Sequence, residues 1–455
     1  MPYIPTTETQ KNEMLNLLGL SSIEELFYEI PGNFRFPRLN LEEELSEIEV
    51  LEEINNLADK NQHAGNNSWF LGAGCCRHFI PAAVGALASR GEFLTSYTPY
   101  QSEASQGTLQ TIFEYQTMIS SLLGMDVINA GHYDGATALA EAVIIALKQK
   151  NGIEKQRILI PASLHPEYKE VFNTYLATYN PIIESYTGSP EAAAKTGKSG
   201  GETACLVAAY PDFFGTIPNL DGAADAIHAA GGLFIVHADP IMLGLFKNPG
   251  EYGADIVTAE GQNLGNDMNY GGPLLGIMGV TKDLMRKIPG RIAGETKDPS
   301  GKRGFVLTLS AREQHIRRER AVSNICSNQG HTMLRSCIYL SLMGKEGLKQ
   351  AAELCWHRSH YAAAKIAALP GFTVAAESGG QKGNFFKEFT VKLPEGKTAD
   401  AVCEALAAKK TVPGLSLSRY FPERKNELLI CVTENNSRAS IDSLISALGE
   451  LFHER

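Results

Sequence analysis

The stretch Leu233-Phe-Ile-Val-His-Ala-Asp239 decides the fold, because an apolar run of strand length ends there in a carboxylate. Similar apolar runs recur before and after it, separated by segments with the length and spacing of helices, such as residues 138–150 and 221–230. Buried parallel strands joined by crossover helices produce this alternation. The pattern predicts a doubly wound α/β domain with strands at residues 126–129, 157–161, 204–209, 233–237 and 255–258.

Changes of pattern along the chain predict three parts. Residues 1–67 are polar and acidic, with apolar residues at helical spacing near 23–27 and 48–57, which indicates an N-terminal helical arm around a turn-rich link. Residues 68–325 carry the α/β alternation of the large domain. Residues 326–455 are expected to form a linking helix, within a long helical stretch at 313–369, and a small α+β domain. Its predicted strands lie at 385–393 and 428–432, after a glycine-rich loop at 377–383.

Length and composition limit the classes of protein that fit. The 455 residues exceed the roughly 250 to 300 at which one core stops growing, so at least two packed units are expected. A net charge of −10 disfavours nucleic acid as a partner, and we interpret the basic run at 312–320 as a solvated or interface helix. No stretch has the length and apolar character of a membrane span, and no signal peptide opens the chain. We therefore expect a cytoplasmic protein with no membrane partner.

Cysteine and histidine do not indicate a metal centre. The 8 cysteines are scattered, and the one close pair, Cys75 and Cys76, is adjacent rather than spaced like a zinc or redox site. The histidines show no HExxH or comparable spacing. We predict no metal and a reducing compartment.

One candidate ligand site is Tyr133-Asp-Gly-Ala-Thr137, which follows a predicted strand and opens an alanine-rich helix. Backbone N–H groups, the helix dipole and the hydroxyl of Thr137 converge there, as they do where proteins hold a phosphate. The alternative is that Asp134 only caps the helix and that no ligand binds. The sequence leaves both interpretations open.

A second candidate is Asp239, which stands at the carboxyl end of its strand, where open α/β sheets place their ligand crevice. A carboxylate there can pair with the protonated pyridine nitrogen of pyridoxal phosphate (PLP), which keeps the ring cationic. The alternative is a capping aspartate. The two interpretations have equal standing until the surroundings are known.

The lysine that such a PLP site requires is missing. The next predicted strand leads into Ala259-Glu-Gly-Gln-Asn-Leu-Gly265, where this architecture presents its Schiff-base lysine, yet no lysine lies between Lys247 and Lys282. Gln262 and Asn263 occupy the expected neighbourhood, and neither can form an imine with the PLP aldehyde. The sequence therefore predicts an incomplete Schiff-base site.

A polar loop at residues 96–107 concentrates hydroxyl, amide and aromatic groups ahead of a helix predicted to begin near Thr108. Loops of this kind beside a catalytic core often serve a site. The alternative is a solvated loop whose tyrosines pack on their own domain. The segment Gly72-Ala-Gly-Cys-Cys-Arg-His78 is equally ambiguous, because a lone GxG shows only that backbone passes close to something.

Taken together, several motifs resemble the glycine cleavage system P-protein family, specifically subunit 1 of its two-subunit form or the N-terminal half of its fused form. The resemblance runs from about residue 10 to the C-terminus, and its motifs are jointly far more specific than any one alone. They are Tyr97-Thr-Pro-Tyr-Gln101, Ser105-Gln-Gly107, Tyr115-Gln-Thr-Met118, Asp134-Gly-Ala-Thr-Ala-Leu-Ala-Glu141, Tyr270-Gly-Gly-Pro273, Ala311-Arg-Glu-Gln-His-Ile-Arg-Arg318 and Ser323-Asn-Ile-Cys326.

The resemblance implies a type I PLP-dependent transferase fold, similar to that of aspartate aminotransferase. It implies a subunit of glycine dehydrogenase (aminomethyl-transferring) that is inactive alone. In this family subunit 2 carries the PLP lysine, so no cofactor is expected covalently on this chain. Glycine is decarboxylated on PLP, carbon dioxide leaves, and the aminomethyl group passes to the lipoyl arm of the H-protein. Subunit 2, the lipoylated H-protein and glycine are thus the implied partners.

The resemblance also assigns roles to the candidate residues. Type I PLP enzymes place their sites at dimer interfaces, so the polar loop is expected to contact the partner's site through Tyr97, Tyr100, Gln101 and Ser105. A vestigial cofactor pocket would then be marked by Asp134, Thr137, Asp239 and Gln262.

Two rival functions stay open. One is an independent PLP decarboxylase or lyase that uses a displaced lysine such as Lys282, although a helix after the Gly-Gly-Pro turn is expected to lead that residue away from the crevice. The other is a scaffold subunit that binds its partners and contributes no group to the chemistry.

Overall fold

The computed structural model describes residues 5–35, 37–94, 96–149, 156–197, 202–325, 329–375 and 384–453. These residues form two compact units, Met1–Asn61 and Gln62–Arg455. Within the described ranges, no helix has the length and apolar character that crossing a bilayer requires.

The strands are numbered here in chain order. They are β1 (Ser68–Trp69), β2 (Val127–Ile128), β3 (Arg157–Pro161), β4 (Ile182–Tyr186), β5 (Thr203–Tyr210), β6 (Leu233–Ala238), β7 (Ile256–Glu260), β8 (Gly276–Val280), β9 (Ile292–Lys297), β10 (Arg303–Thr308), β11 (Thr373–Ala375), β12 (Glu388–Lys392), β13 (Thr411–Val412), β14 (Leu415–Ser416) and β15 (Glu427–Cys431).

The α-helices are numbered in the same way. They are α1 (Glu8–Leu18), α2 (Glu47–Ala58), α3 (Ala82–Ala88), α4 (Gln106–Leu123), α5 (Gly135–Leu147), α6 (Pro166–Leu176), α7 (Pro190–Ala194), α8 (Ala223–Ala229), α9 (Gln314–Arg317), α10 (Gly330–Ala367), α11 (Ala399–Ala407) and α12 (Arg438–His453).

The central sheet has seven strands in the order β2-β8-β7-β6-β5-β3-β4. Strands β3 to β7 pair in parallel, whereas β8 runs antiparallel to both of its neighbours, β7 and β2. The carboxyl ends of the parallel strands therefore lie along one edge of the sheet, and the end of β8 lies at the opposite edge. This arrangement decides which residues can meet in a crevice.

Helices cover both faces of this sheet because its strands are apolar on both sides. Along β5, Leu206 and Ala208 join a core cluster with α4, α8 and α10, whereas Cys205 and Val207 join a second cluster with α5 and α6. Every residue of α5 is buried, as expected for a helix enclosed between a sheet and a covering helix.

A second, antiparallel sheet of four strands follows in the C-terminal part of the chain, in the order β11-β12-β15-β14. Its apolar face packs against α11, α12 and the second half of α10 in a separate core cluster. The long helix α10 is interrupted at Gly344, whose backbone is not helical.

The N-terminal unit, Met1–Asn61, consists of α1, two short 3-10 helices and α2. Each α-helix begins with a reciprocal capping box, Thr7 with Gln10 and Ser46 with Glu49, in which each side chain bonds the other residue's backbone N–H. Local hydrogen bonds therefore define both helices.

The α/β fold is confirmed, and the five predicted strands occur within two residues of their expected bounds. Two strands of the central sheet were not predicted: β4, which is polar and lies at the sheet edge, and β8, which contains glycines. The helix expected after the Gly-Gly-Pro turn is wrong, because β8 stands there. The helix expected throughout 313–369 is also wrong in part, because α9 ends at Arg317 and α10 begins at Gly330.

The compact division of the chain falls between Asn61 and Gln62, close to the predicted end of the arm. The division of the remainder into a large domain up to 325 and a small domain from 326 stays a prediction. The glycine-rich loop predicted at 377–383 lies outside the described residues.

Candidate functional site

A small crevice opens at the carboxyl ends of β5, β6 and β7, where the topology places a ligand site. Its volume is about 80 Å³, well below the roughly 300 to 1,000 Å³ of typical small-molecule sites and enough for only a few water molecules. The polar residues that line it are His165, Asp212, His237, Asp239, Glu260, Asn263 and Glu388.

Asp239 follows β6, and its carboxylate is already paired. The amine of Lys387 lies 2.6 Å from Oδ2 of Asp239, and the Lys387 side chain is only 1% exposed. Burial is the largest single influence and would lower the pKa of Lys387, but the charge and hydrogen bond of Asp239, together with Cys76 and Cys431, outweigh it and raise that pKa well above its usual value. Lys387 is therefore an ammonium ion. It occupies the position at which a PLP ring would present its pyridine nitrogen to Asp239.

The ammonium of Lys387 also fixes the state of a neighbouring histidine. It lies 2.9 Å from Nε2 of His78, and an ammonium has only donors, so Nε2 must be the acceptor. The other ring nitrogen, Nδ1, then donates to Oε2 of Glu434 at 2.8 Å. Burial opposes ionisation of Glu434, but contacts with His78 and the N–H of Phe79 outweigh burial and lower its pKa. A buried polar chain thus connects Asp239 at the end of β6 with Lys387, which precedes β12, and with Glu434, which lies three residues beyond β15.

The turn before α5 contains the predicted phosphate motif. Asp134 caps the helix, because its Oδ1 accepts the N–H of Thr137 at 2.7 Å and the hydroxyl of Thr137 accepts the N–H of Asp134 at 3.2 Å. Both side chains therefore bond each other's backbone. This geometry matches the capping interpretation of the motif.

The first N–H group of α5 is bonded by a side chain from the sheet. Oε2 of Glu260, the last residue of β7, accepts the N–H of Gly135 at 2.8 Å, and Oε1 accepts those of Gln262 and Leu275. A Cβ added at Gly135 would lie 2.8 Å from the hydroxyl of Tyr168 and 3.1 Å from the Cβ of Glu260. The carboxyl group of Glu260 thus fills the place where a phosphate would bind.

Gln262 and Asn263 form a 3-10 turn after β7, and both are buried. The amide of Gln262 accepts the N–H of Cys76 at 3.2 Å and donates to the carbonyl of Asn266 at 2.8 Å. Asn263 lines the crevice, and its Oδ1 has no hydrogen-bond partner among the described residues. These contacts hold the turn against the segment that contains Cys76.

Lys282 lies far from this chemistry. It follows β8, whose last residue, Val280, pairs with Ile256 at the amino end of β7. Lys282 is exposed, and its N–H bonds the carboxylate of Asp126 at 2.9 Å. Because the crevice is at the carboxyl end of β7, Lys282 cannot serve it.

The residues of this crevice do not fit PLP. Among the described residues that line it, none is a lysine. The carboxylate that would bind the pyridine nitrogen is paired with Lys387, and the helix N-terminus that would bind the phosphate is occupied by Glu260. The sequence analysis missed both of these residues. Glu260 could have been found from the sequence, because it is a carboxylate at the end of an apolar strand, much as Asp239 directly follows one. The only sign of Lys387 in the sequence is a lysine inside the largely apolar run 385–391.

Two groups of potential metal ligands adjoin the crevice, Cys76 with Glu388 and Cys431, and His78 with Cys355 and Glu434. The pKa of Cys431 is raised well above its usual value, first by its hydrogen bond with Cys76 and then by burial. Burial is the main cause of the raised pKa of Cys355. Protonated thiols are poor metal ligands, and a protein without metal stays our prediction.

The polar loop borders a different and larger space. A cleft of about 800 Å³ lies between this loop and the start of α10, and its lining includes Tyr97, Tyr133 and His331. Tyr97 is 90% exposed. The cleft and the crevice have no lining residue in common among the described residues.

The remaining loop residues differ in how firmly they are held. Tyr100 is exposed, but its hydroxyl accepts a 3.4 Å hydrogen bond from the buried Arg291, and its ring meets that of His315 at 5.9 Å. Gln101 is exposed. Ser105 precedes α4, and its carbonyl accepts the N–H of Leu109. Tyr100 is therefore positioned by the body of the chain, whereas the side chains of Tyr97 and Gln101 are exposed to solvent.

Comparisons of the chain with known proteins all indicate the same family. The profile described as "Glycine cleavage system P-protein" matches residues 1–448. The chain belongs to this family. It is 44% identical to the probable glycine dehydrogenase (decarboxylating) subunit 1 of Desulfitobacterium hafniense, over 99% of this chain and 100% of that protein. It is 45% identical to the protein of the same name from Moorella thermoacetica, over 98% of this chain and 99% of that one.

Solved structures agree with this family. The crystal structure of a glycine decarboxylase (P-protein) in inhibitor-bound form matches with a TM-score of 0.86 and 40% identity, covering 99% of this chain and all of the other. A sphingosine-1-phosphate lyase from Burkholderia pseudomallei matches with a TM-score of 0.62 and 14% identity, over 93% of this chain and 94% of the other. The P-protein family thus shares the type I fold of PLP enzymes, and the predicted fold is confirmed.

Proposed function

We propose that this member of the P-protein family is subunit 1 of a two-subunit glycine decarboxylase and that it works only with a second subunit. The relatives that carry the name subunit 1 match it over essentially their full length. The observation that carries the proposal is that Lys387 and Glu260 fill the crevice. A chain that keeps the fold of a PLP enzyme but closes its own cofactor site needs a partner to hold the cofactor.

In the complex, PLP is held by subunit 2, and when bound there it supplies the electron sink for the loss of carbon dioxide from glycine. The aminomethyl group then passes to the lipoyl arm of the H-protein. This chain contributes to the reaction through its surface beside the polar loop and not through the crevice. Its cleft beside the polar loop is wide enough for a substrate-sized group, and the loop offers exposed hydroxyl and amide groups.

Within that surface, we assign different tasks to the four loop residues. Tyr100 is held in place by Arg291 and His315, so it can present a fixed ring to the partner's site. Tyr97 and Gln101 are exposed and can contact the partner or its substrate directly. Ser105 stands at the start of α4, where its position depends on the helix. Asp134, Thr137, Asp239 and Gln262 serve the structure of the closed crevice.

The exchange of the glycine carboxyl group with labelled bicarbonate, in the presence of lipoylated H-protein, tests the proposal. It is measured for this chain alone, for subunit 2 alone and for the mixture. Exchange only in the mixture supports an obligate subunit without a cofactor lysine. Exchange by this chain alone refutes the proposal.

The rival of an independent PLP enzyme has its own test. The purified chain is incubated with PLP, reduced with borohydride and examined by absorbance and peptide mass spectrometry. We expect no reduced adduct at any crevice residue. A stoichiometric adduct at the buried Lys387 would establish that a displaced lysine forms the Schiff base.

The scaffold alternative is separated by substitution in the reconstituted complex. Tyr97→Phe removes a hydroxyl at the cleft, and Gln101→Ala removes an exposed amide from the polar loop. Tyr361→Phe is the matched control, because it removes an exposed hydroxyl that bonds Asp442. A fall in turnover of tenfold or more for the loop variants, with assembly intact and the control unchanged, supports a direct contribution. Unchanged turnover favours the scaffold.

A cytoplasmic location is part of the same proposal. Fractionation of the native cells, followed by detection of this chain together with subunit 2, tests it. Recovery in another compartment would contradict the proposed cytoplasmic location.

A further inference from the structure

A further cavity, hereafter the side cavity, lies next to the crevice at the carboxyl ends of β3, β4 and β5. Its volume is about 370 Å³, which is within the range of sites that hold small organic molecules. It shares only Ala209 and Asp212 with the lining of the crevice. The proposed function makes no use of this space.

The walls of the side cavity are mainly apolar, and three of them are the aromatic rings of Tyr186, Phe214 and Phe421. The rings of Phe214 and Phe421 lie 5.5 Å apart and are tilted by 46°. The hydroxyl of Tyr186 already donates to the carbonyl of Val207 at 2.8 Å. Aromatic walls accept an apolar ligand body, and their faces attract a cation. The other apolar lining residues are Pro161, Ala162, Pro190, Ala209 and Pro218.

One buried carboxyl group borders the side cavity. Asp212 is only 7% exposed, and its Oδ1 accepts the N–H groups of Phe214 at 3.0 Å and of Thr216 at 2.8 Å. Its Oδ2 has no hydrogen-bond partner among the described residues. The hydroxyl of Ser163 lies near enough to lower the pKa of the group but does not bond Oδ2. A buried carboxyl oxygen without a donor is costly, so a ligand that brings a donor would bind favourably.

Asp212 differs from Asp239 in its charge balance. Burial opposes ionisation of Asp239, but the charge of Lys387 outweighs burial and the pKa of Asp239 is lowered. Burial raises the pKa of Asp212 to about 7, and the charge of Arg424 does not reverse this. A cation in the side cavity would do for Asp212 what Lys387 does for Asp239.

Arg424 is the one cationic side chain among the described residues that line the side cavity. Its Nε and Nη2 donate to Oε2 of Glu427 at 2.9 and 2.6 Å, and its Cζ lies 4.3 Å from the centre of the Phe214 ring. Glu423 adds a carboxylate on the exposed side. An anionic ligand would therefore meet two carboxyl groups and a guanidinium whose charge Glu427 balances, whereas a cationic ligand would be attracted.

We propose that the side cavity is a binding site for a primary amine with an aromatic body, whose ammonium group donates to Oδ2 of Asp212. Glycine is a poor occupant, because it has no apolar body to place against the rings and its carboxylate would face Glu423. The proposal does not depend on the proposed function, since every residue that it uses belongs to this chain.

Calorimetric titration of the full chain with two matched probes tests the proposal. Tryptamine carries an ammonium group on an ethyl side chain of indole, and indole-3-propionate carries a carboxylate in its place. We expect saturable binding of tryptamine with a Kd of about 1 mM or tighter, and binding of indole-3-propionate that is weaker by tenfold or more. Equal affinity for the two probes, or no saturable binding of tryptamine in this range, overturns the proposal.

Asp212→Asn tests the carboxyl group, because asparagine keeps an acceptor for the two backbone N–H groups but removes the negative charge. We expect this variant to bind tryptamine at least tenfold more weakly than the wild type does. Asp225→Asn is the matched control, since it removes an exposed carboxylate outside the cavity and should leave the affinity unchanged. Wild-type affinity in Asp212→Asn contradicts the proposed contact.

Thr187→Trp distinguishes the side cavity from the crevice and keeps the test decisive if Asp212→Asn does not fold. Thr187 is exposed and lines the side cavity but not the crevice, so a bulky side chain there obstructs only the former. We expect tryptamine to bind at least tenfold more weakly, whereas Thr174→Trp, at an exposed position on α6 outside the cavity, should bind it as the wild type does. Undiminished binding in Thr187→Trp would exclude the side cavity as the site.

Discussion

The amine of Lys387 lies 2.6 Å from the carboxylate of Asp239, which links the residue before β12 to the end of β6. In a PLP enzyme of this fold that carboxylate is reserved for the pyridine nitrogen. Here the positive charge comes from the chain itself. The charge of Asp239 is therefore balanced by Lys387 without a cofactor.

The first prediction concerns this ion pair. Lys387→Met should lower the free energy of unfolding by about 3 to 5 kcal/mol, because it leaves the charge of Asp239 buried without a partner. The double variant Lys387→Met/Asp239→Leu should recover most of that loss, since an apolar pair can replace a buried ion pair. Urea unfolding measures both variants.

The control for this prediction is Lys282→Met, which removes an exposed lysine and should change stability by less than about 0.5 kcal/mol. If Lys387→Met is as stable as this control, the pair is not a structural element of the crevice.

The second prediction is a pH dependence from Glu260. Burial raises the pKa of this group from 4.5 to about 7, against the opposing effect of its backbone N–H bonds. The folded chain thus holds the proton more tightly than the unfolded chain. The stability from this group is full below pH 4.5 and is lost as the pH rises through 7.

Glu260→Gln should therefore flatten the profile of unfolding free energy against pH in this window, by up to about 1.4 kcal/mol per pH unit for one proton. A remaining slope is expected, because burial also raises the pKa of Asp212 and of Glu141 to about 7. Urea unfolding across the window provides the measurement. Parallel profiles for wild type and variant would contradict the assignment.

The third prediction tests the packing of the turn after β7 against α10. Gly265 has φ +85°, and an added Cβ would lie 2.5 Å from the Cβ of Tyr339. Gly265→Ala should cost about 2 to 4 kcal/mol, from the backbone conformation and the clash together. Gly301 has φ +84° and open space around it, so Gly301→Ala should cost only about 1 kcal/mol. Thermal unfolding of the two variants compares them, and equal losses would argue against close packing at Gly265.

The fourth prediction separates a cap from a ligand group at Asp134. Asp134→Ala should cost about 1 kcal/mol through loss of the helix cap, whereas Asp134→Asn should cost a few tenths, because asparagine caps equally well. A large loss with asparagine would mean that the charge itself is required. Chemical denaturation of both variants decides between these outcomes.

Much of the fold could be predicted from the sequence because buried strands leave a local signal. The runs at 157–161 and 204–209 are apolar throughout, and the structure places strands there. Strand β8 was missed because glycines interrupt its apolar run, and its antiparallel direction depends on pairing partners that are distant in the chain. The break between α9 and α10 was missed because apolar spacing continues across it.

The candidate site was predictable only in part. The absence of lysine near Gln262 is a fact of the sequence, and it identified the crevice as incomplete. What replaces the cofactor could not be predicted, because Lys387 reaches Asp239 from the residue before β12, a strand of another sheet. When tertiary packing brings together two residues that are distant in the sequence, their spacing gives no sign of the contact.

The closed crevice has a consequence for how the complex is made. Since Lys387 and Glu260 belong to the polypeptide, this subunit finishes folding without waiting for a vitamin-derived molecule. A cell short of vitamin B6 would still accumulate it in assembly-ready form. If subunit 2 holds PLP as proposed, the supply of the vitamin would limit only that subunit, and activity would return as soon as it was filled.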